Sequence, residues 1–249
     1  MIKVVAVGDV HGQWAELWRA LRAAMAADAM CEPTLPVVEG RFQVVVIGDL
    51  VHYKDFETYA RIVGVEYYDP SDEEQLKRAA KAQIRELYRF KHYVERAQGN
   101  VTVILGNHDE AALTHQYQLS TRGGLHHNEF NEERGGLALP KELAVWMASF
   151  PREKVFYGVQ FAHAGPLPGM QIFDDFFYHD ADTKQWWQHK PQLVEQTGYR
   201  FGVYGHTVME SGIHVDKEHR LAMIDALSRQ QFLELFLSEE RLDYRVMEF

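Results

Sequence analysis

The chain holds a single cysteine, Cys31, among 249 residues. That excludes an internal disulfide framework and any thiolate metal cluster, so metal chemistry would have to use nitrogen and oxygen donors. Long apolar runs are missing as well: stretches such as Val44–Ile47 and Val101–Leu105 fall far below the ~20 residues needed to cross a bilayer. Met1 leads into a strand-like segment without a signal-peptide pattern, so the expected setting is cytoplasmic, with no membrane partner. Basic side chains are outnumbered, 26 Lys and Arg against 36 Asp and Glu. The resulting net charge of −10 disfavours nucleic acid as a partner, because phosphate tracking draws on clustered cations. With no internal repeat, low-complexity tract or Pro/Ser-rich linker, one domain over residues 1–249 is expected.

What the chain does have is an ordinary folded composition, 46% hydrophobic, and 13 histidines, enough to raise the question of a divalent-cation site. Short β-branched runs recur at Lys3–Val7, Phe42–Ile47, Val101–Leu105, Gly158–Ala162, Phe201–Tyr204, Leu221–Ile224 and Phe232–Phe236, separated by stretches of helical spacing. The rhythm is α/β. After Gly12, the residues Trp14, Leu17, Trp18, Leu21, Ala24 and Met25 make one apolar helical stripe. Ser71 and Glu74 read as a capping box opening a second helix that runs towards Gly99, within a helical insertion of about residues 53–99. From about 114 to 139, paired glycines and histidines break any period and suggest an irregular loop or lid.

Five motifs gather nearly all the chemically interesting residues: Gly-Asp-Val-His-Gly at 8–12, Gly-Asp at 48–49, Gly-Asn-His-Asp at 106–109, His-Ala-Gly at 163–165 and Gly-His-Thr at 205–207. Each follows an apolar strand. Ligands in open α/β sheets sit at the carboxyl ends of strands, so these motifs would converge on one rim. Gly12 and Gly106 suit places where the chain turns sharply or approaches a site closely. The spacing reads as a two-cation site, with Asp9 and His11 on one side, Asn107, His163 and His206 on the other, and Asp49 shared between them. Two divalent cations in that position would activate a bridging water for in-line attack on phosphorus, which makes phosphoester hydrolysis the expected reaction.

In this order the five motifs resemble the calcineurin-like metallophosphoesterase superfamily, the group of the PPP-type serine/threonine phosphatases. The stretch from Trp146 to Gly165 is similar to that of bacterial diadenosine-tetraphosphate hydrolases and small protein phosphatases. The resemblance implies a β-sandwich flanked by helices in four layers, α/β/β/α, holding a pair of transition-metal ions: Mn first, with Fe, Zn, Co or Ni as alternatives. It implies Asp9, His11 and Asp49 as ligands of one ion, Asp49, Asn107, His163 and His206 as ligands of the other, and His108 as proton donor to the leaving oxygen. A phosphorylated small molecule, nucleotide or phosphoprotein is the expected substrate.

The departures concern the substrate. The phosphatase pattern Asp-x-x-Asp-Arg-Gly is replaced by Asp49-Leu-Val-His52-Tyr53-Lys54, so the carboxylate that orients the catalytic histidine and the arginine that clamps phosphate are both missing. His52 and Gly-Asn-His-Asp are similar instead to the phosphodiesterase and nuclease branches, where a second histidine partners the first. Val208 returns to the phosphatase side. His52 is therefore expected beside His108, and Lys54, Arg122, Arg134 and Arg200 are the candidates for binding substrate phosphate. His92, His115, His179, His189, His214 and His219 are expected to be structural, and His126 and His127 intermediate. The aromatic group Phe173, Phe176, Phe177, Tyr178, Trp186 and Trp187 is more often core than a nucleobase platform. The alternatives carried forward are a phosphodiesterase or nuclease and, from another class, a non-catalytic metal-binding scaffold.

Overall fold

The computed structural model describes residues 1–115, 119–121, 124–166 and 183–249. Twelve strands occur among them: β1 Ile2–Val7, β2 Phe42–Val46, β3 Val101–Val103, β4 Ser120–Thr121, β5 Leu125–His126, β6 Glu153–Phe156, β7 Val159–Ala162, β8 Phe201–Val208, β9 His214–Asp216, β10 Leu221–Asp225, β11 Gln231–Leu237 and β12 Leu242–Glu248. The principal helices are α1 Trp14–Ala23, α2 Leu35–Val38, α3 Phe56–Val63, α4 Glu73–Arg96, α5 Asn107–Thr114 and α6 Lys141–Ala148.

Two five-stranded sheets result, in the orders β12-β11-β1-β2-β3 and β6-β7-β8-β10-β9. Alternation along β1 shows why they stack. Val4 and Ala6 join Val45, Ile47 and Ile104 against Phe161, Val203, Ala222 and Ile224 in a core between the sheets. Val5 and Val7 point the other way, onto Leu17, Trp18 and Leu21 of α1 and Leu87, Phe90 and Tyr93 of α4. A strand buried on both faces must be apolar at every position, which is what these runs are. On the outer face of the second sheet, Tyr204, Leu221 and Met223 pack against Trp186 and Val194. The layers are α/β/β/α, the metallophosphoesterase architecture the motifs resemble.

Within each sheet three strands are parallel: β1, β2 and β3 in one, β7, β8 and β10 in the other. Their carboxyl ends gather on one rim, and all five motifs leave from it. Helix α1 buries Trp14, Leu17, Trp18 and Leu21, but Met25 lies beyond its end, exposed and at φ 58°. The N-cap of α4 is Asp72, whose carboxylate accepts Glu74 N and Gln75 N, in place of Ser71. Ser71 bonds back to Asp69 instead.

Candidate metal centre

Asp49 sits at the middle of the cluster. Its Oδ2 lies 3.3 Å from His11 Nε2 and 3.3 Å from His163 Nε2, while its Oδ1 accepts His108 N at 2.8 Å. The last of these contacts places the carboxylate at the first turn of α5, where free N–H groups and the helix dipole favour negative charge. Asn107 Oδ1 is 3.0 Å from His163 Nε2 and 3.1 Å from His206 Nδ1. Asp9 Oδ2 accepts His206 N at 2.9 Å, and its Oδ1 is buried without a hydrogen-bond partner. A buried carboxyl oxygen with no partner costs free energy that a cation would recover.

The remaining ring nitrogens are oriented by backbone. His163 Nδ1 meets Ile47 O at 2.7 Å and His11 Nδ1 meets His52 O at 3.0 Å, leaving each Nε2 directed at Asp49. Carbonyl partners of this kind fix the tautomer that a ligating histidine needs. Among the described residues, two groups have donor atoms close enough to hold an ion, His11 with Asp49 and His108, and Asp49 with His163 and His206. Both contain Asp49. The donor set, imidazole and carboxylate, suits divalent transition metals. In the first group His108 stands within ligand distance, a position the sequence reading reserved for a proton donor.

The backbone at this rim is unusual. His11, Asp49, His52 and His206 all have positive φ, 44°, 48°, 67° and 61°. Non-glycine residues in this region are uncommon and concentrate at functional sites. Gly106 is needed for space: a Cβ there would lie 2.1 Å from Asp49 Oδ1. Gly12 combines φ 67° with a Cβ position 2.2 Å from the Tyr53 ring.

Charge and burial set the protonation states. Burial and the neighbouring Asp225 carboxylate push Asp9 well above the usual carboxylate range. Burial works to raise Asp49 too, but the imidazoles of His163 and His108 hold it well below that range. Against desolvation, Asp49 and Asp9 lift His163 to about 10. Desolvation and Lys54 push His11 well down. Burial, then Asp49, raises Asp109 to about 7. Asp109 ties two motifs together, its carboxylate accepting Leu50 N at 2.8 Å and Gly106 N at 3.2 Å.

His52 Nδ1 lies 3.0 Å from His108 Nδ1. His52 also stacks on His127, with ring centroids 4.6 Å apart and planes 10° from parallel. Burial pushes both His52 and His127 down to about 3. His127, from the irregular loop, is therefore part of the site's lining, whereas His126 is exposed on β5.

The four candidates for phosphate binding separate. Lys54 Nζ is 2.9 Å from Asp225 Oδ2, next to Asp9, and Asp225 and Asp9 hold its pKa up against desolvation. Arg200 is placed at the opposite end of β8, ~20 Å from His206 by strand rise. There its guanidinium donates to the carbonyls of Tyr157, Ser238 and Glu239, because that turn leaves three oxygens facing it. Arg134 is exposed on the turn Glu132–Arg134, beside Gly135, which packs on Glu73 in the first turn of α4. Arg122 lies outside the described residues, as do Phe173, Phe176, Phe177, Tyr178 and His179. Trp186 is core, donating to Ala164 O at 2.9 Å, and Trp187 packs on His214 of β9. A cavity of about 640 Å³ opens beside His11 and Lys54, walled by Trp14, Tyr53, Arg61 and Arg85.

The sequence profile described as calcineurin-like phosphoesterase matches residues 2–239, and the chain belongs to that family. It is a metal-dependent phosphoric ester hydrolase by family. No curated protein sequence matches it. Among solved structures it is similar to the cold-active protein-tyrosine phosphatase of a psychrophilic Shewanella, with TM-score 0.58 and 15% identity over 100% of this chain and 81% of that one. It is also similar to a protein serine/threonine phosphatase from Saccharomyces cerevisiae, with TM-score 0.52 and 13% identity over 100% and 80%. At these identities the likeness is one of fold. No helix among the described residues is long and apolar enough to cross a membrane.

Proposed function

We propose that the chain is a dinuclear phosphoesterase acting on phosphomonoesters or phosphoanhydrides. The observation that carries this reading is Asp49 Oδ2, equidistant at 3.3 Å from an imidazole of each sheet's motif set. Divalent cations bound there, Mn²⁺ first and Fe, Zn, Co or Ni as alternatives, would lower the pKa of a water and neutralise charge on the phosphoryl oxygens. His11 and Asp9 would hold one ion, Asn107, His163 and His206 the other, with Asp49 common to both. His108, anchored through its backbone N–H to Asp49, would donate a proton from its ring to the departing oxygen. Lys54 supplies a positive charge beside Asp9, though as a point charge already shared with Asp225 it lacks an arginine's two-pronged grip. The cavity beside it gives the rest of the substrate, a nucleotide or a phosphorylated side chain, room to lie.

A second reading, phosphodiester hydrolysis, rests on the His52–His108 contact. The test is a panel of phosphomonoesters, dinucleoside polyphosphates, phosphopeptides and bis-p-nitrophenyl phosphate, run with each metal in turn. Monoesters or anhydrides are expected to turn over fastest. A diester rate well above the monoester rate would establish the second reading, and no hydrolysis with any metal would leave only a scaffold.

A further inference from the structure

His52 stands where phosphatases of this pattern carry a carboxylate, and what holds it in place comes from the helical insertion and the loop after α5. Its backbone is in the left-handed region, φ 67°, a conformation a β-carbon disfavours. Its N–H is captured by Gln83 Oε1 at 2.8 Å. Gln83, on α4, is completely buried, and its Nε2 donates to Glu129 Oε1 at 2.9 Å. Glu129, from the loop, is completely buried too, and the same oxygen accepts a hydrogen bond from Tyr59 OH on α3. That hydroxyl has one hydrogen, spent on Glu129, so at 3.0 Å its oxygen is the acceptor for His127 Nδ1–H. His127 then lies flat against the His52 ring, and Phe130 closes a further side at 5.9 Å.

We propose that Gln83 and Glu129 are positioning residues that fix the His52 imidazole so that its Nδ1 accepts from His108 Nδ1–H. Resting on the phosphoesterase reading above, this deepens it: the insertion replaces an orienting carboxylate with a neutral acceptor held from four elements. A buried carboxamide and carboxylate are costly unless they are hydrogen-bonded, and these bonds converge on one backbone N–H and one ring. With Nδ1–H given to His52, the imidazolium form of His108 presents Nε2–H to the leaving oxygen in a fixed orientation; that proton passes to the oxygen as its bond to phosphorus breaks, leaving a neutral imidazole with its hydrogen on Nδ1. Loss of that orientation matters most where the leaving group needs a proton.

The test is Gln83→Leu, assayed on a series of aryl phosphates from 2,4-dinitrophenyl to phenyl phosphate, with bound metal measured alongside. The expected result is a kcat loss of about 10- to 100-fold on phenyl phosphate, a part of the ~10²- to 10⁴-fold that a general acid contributes, and little on the dinitrophenyl ester, at unchanged metal content. In a His108→Ala background, Gln83→Leu should cost nothing further, since the two act as a unit. Equal losses for every leaving group, additive losses in the double variant, or loss of metal would each overturn the proposal. If Gln83→Leu does not fold, Tyr59→Phe removes one hydroxyl and should show the same selectivity to a smaller degree; a uniform effect overturns it there. Were the wild type to hydrolyse nothing, the phosphoesterase reading would fail while the hydrogen bond could still be read directly. The imidazole proton shared by His52 and His108 should give a downfield NMR signal that disappears in Gln83→Leu, and its persistence would count against the proposal.

Discussion

His163 shows how protons and cations compete at single residues. Asp49 and Asp9 beside it push the imidazole up to about 10, so before a cation binds it is expected to carry a proton at pH 7. A ligating histidine must be neutral, so binding a cation should expel that proton. Affinity for Mn²⁺ is then expected to rise as pH rises from 6 to 9. Calorimetric titrations at pH 7, in buffers of different ionisation enthalpy, should report net proton release. Heats independent of buffer would show that no proton leaves His163 when the cation binds. The residues gathered around Asp49 were legible in the sequence because each belongs to a short glycine-bearing motif at the end of an apolar strand. Gln83, Tyr59 and Glu129 were not, since a glutamine at mid-helix or a tyrosine in an amphipathic segment carries no local sign of what it will meet. His127 had a partial sign in the His-His pair. Arg200 misled because a lone arginine next to a motif strand has no way to declare which end of the strand it occupies.

Among the elements, α5 does two things at once. Its first turn places Asn107 and His108, and Asp109 within that turn reaches back to Gly106 N and across to Leu50 N. Asp109→Ala leaves both N–H groups buried without a partner, and a loss of about 1–3 kcal/mol in stability is expected. Asp109→Asn, which keeps one acceptor, should lose less. Denaturant midpoints at constant slope would check the order, and an alanine variant as stable as the wild type would contradict it. Strands leading into motifs were readable from their runs of Val and Ile. Strands β6, β9 and β12 were not: each lies at a sheet edge, where charged residues such as Glu153, Lys154, Asp243 and Arg245 interrupt the apolar run, as edges exposed to water require. Helix α3, with Asp55 as its N-cap, was hidden inside what read only as an insertion.

At the level of the whole molecule, two sheets meet at one rim that carries the proposed ligands from both: Asp9, His11, Asp49 and Asn107 from the first, His163 and His206 from the second. Cations at that rim would cross-link the sandwich in the native state and have no equivalent site in the unfolded chain. Thermal unfolding should therefore shift upward with Mn²⁺ and downward with a chelator. A free-ion concentration one hundred times the dissociation constant stabilises by about 2.7 kcal/mol per site. A melting temperature indifferent to both additives would mean that the rim holds no ion tightly. The four-layer arrangement was foreseeable from the motif order, whereas the placement of α3 and α4 around His52 depended on packing that no single segment encodes.

The central claim is that one carboxylate, Asp49, serves two cations. Metal content measured on desalted protein after saturation with Mn²⁺, for the wild type and for Asp49→Asn, tests it most directly. Two ions per chain in the wild type, both lost along with hydrolytic activity in the variant, is the predicted result. One ion per chain, or two retained by Asp49→Asn, would contradict it.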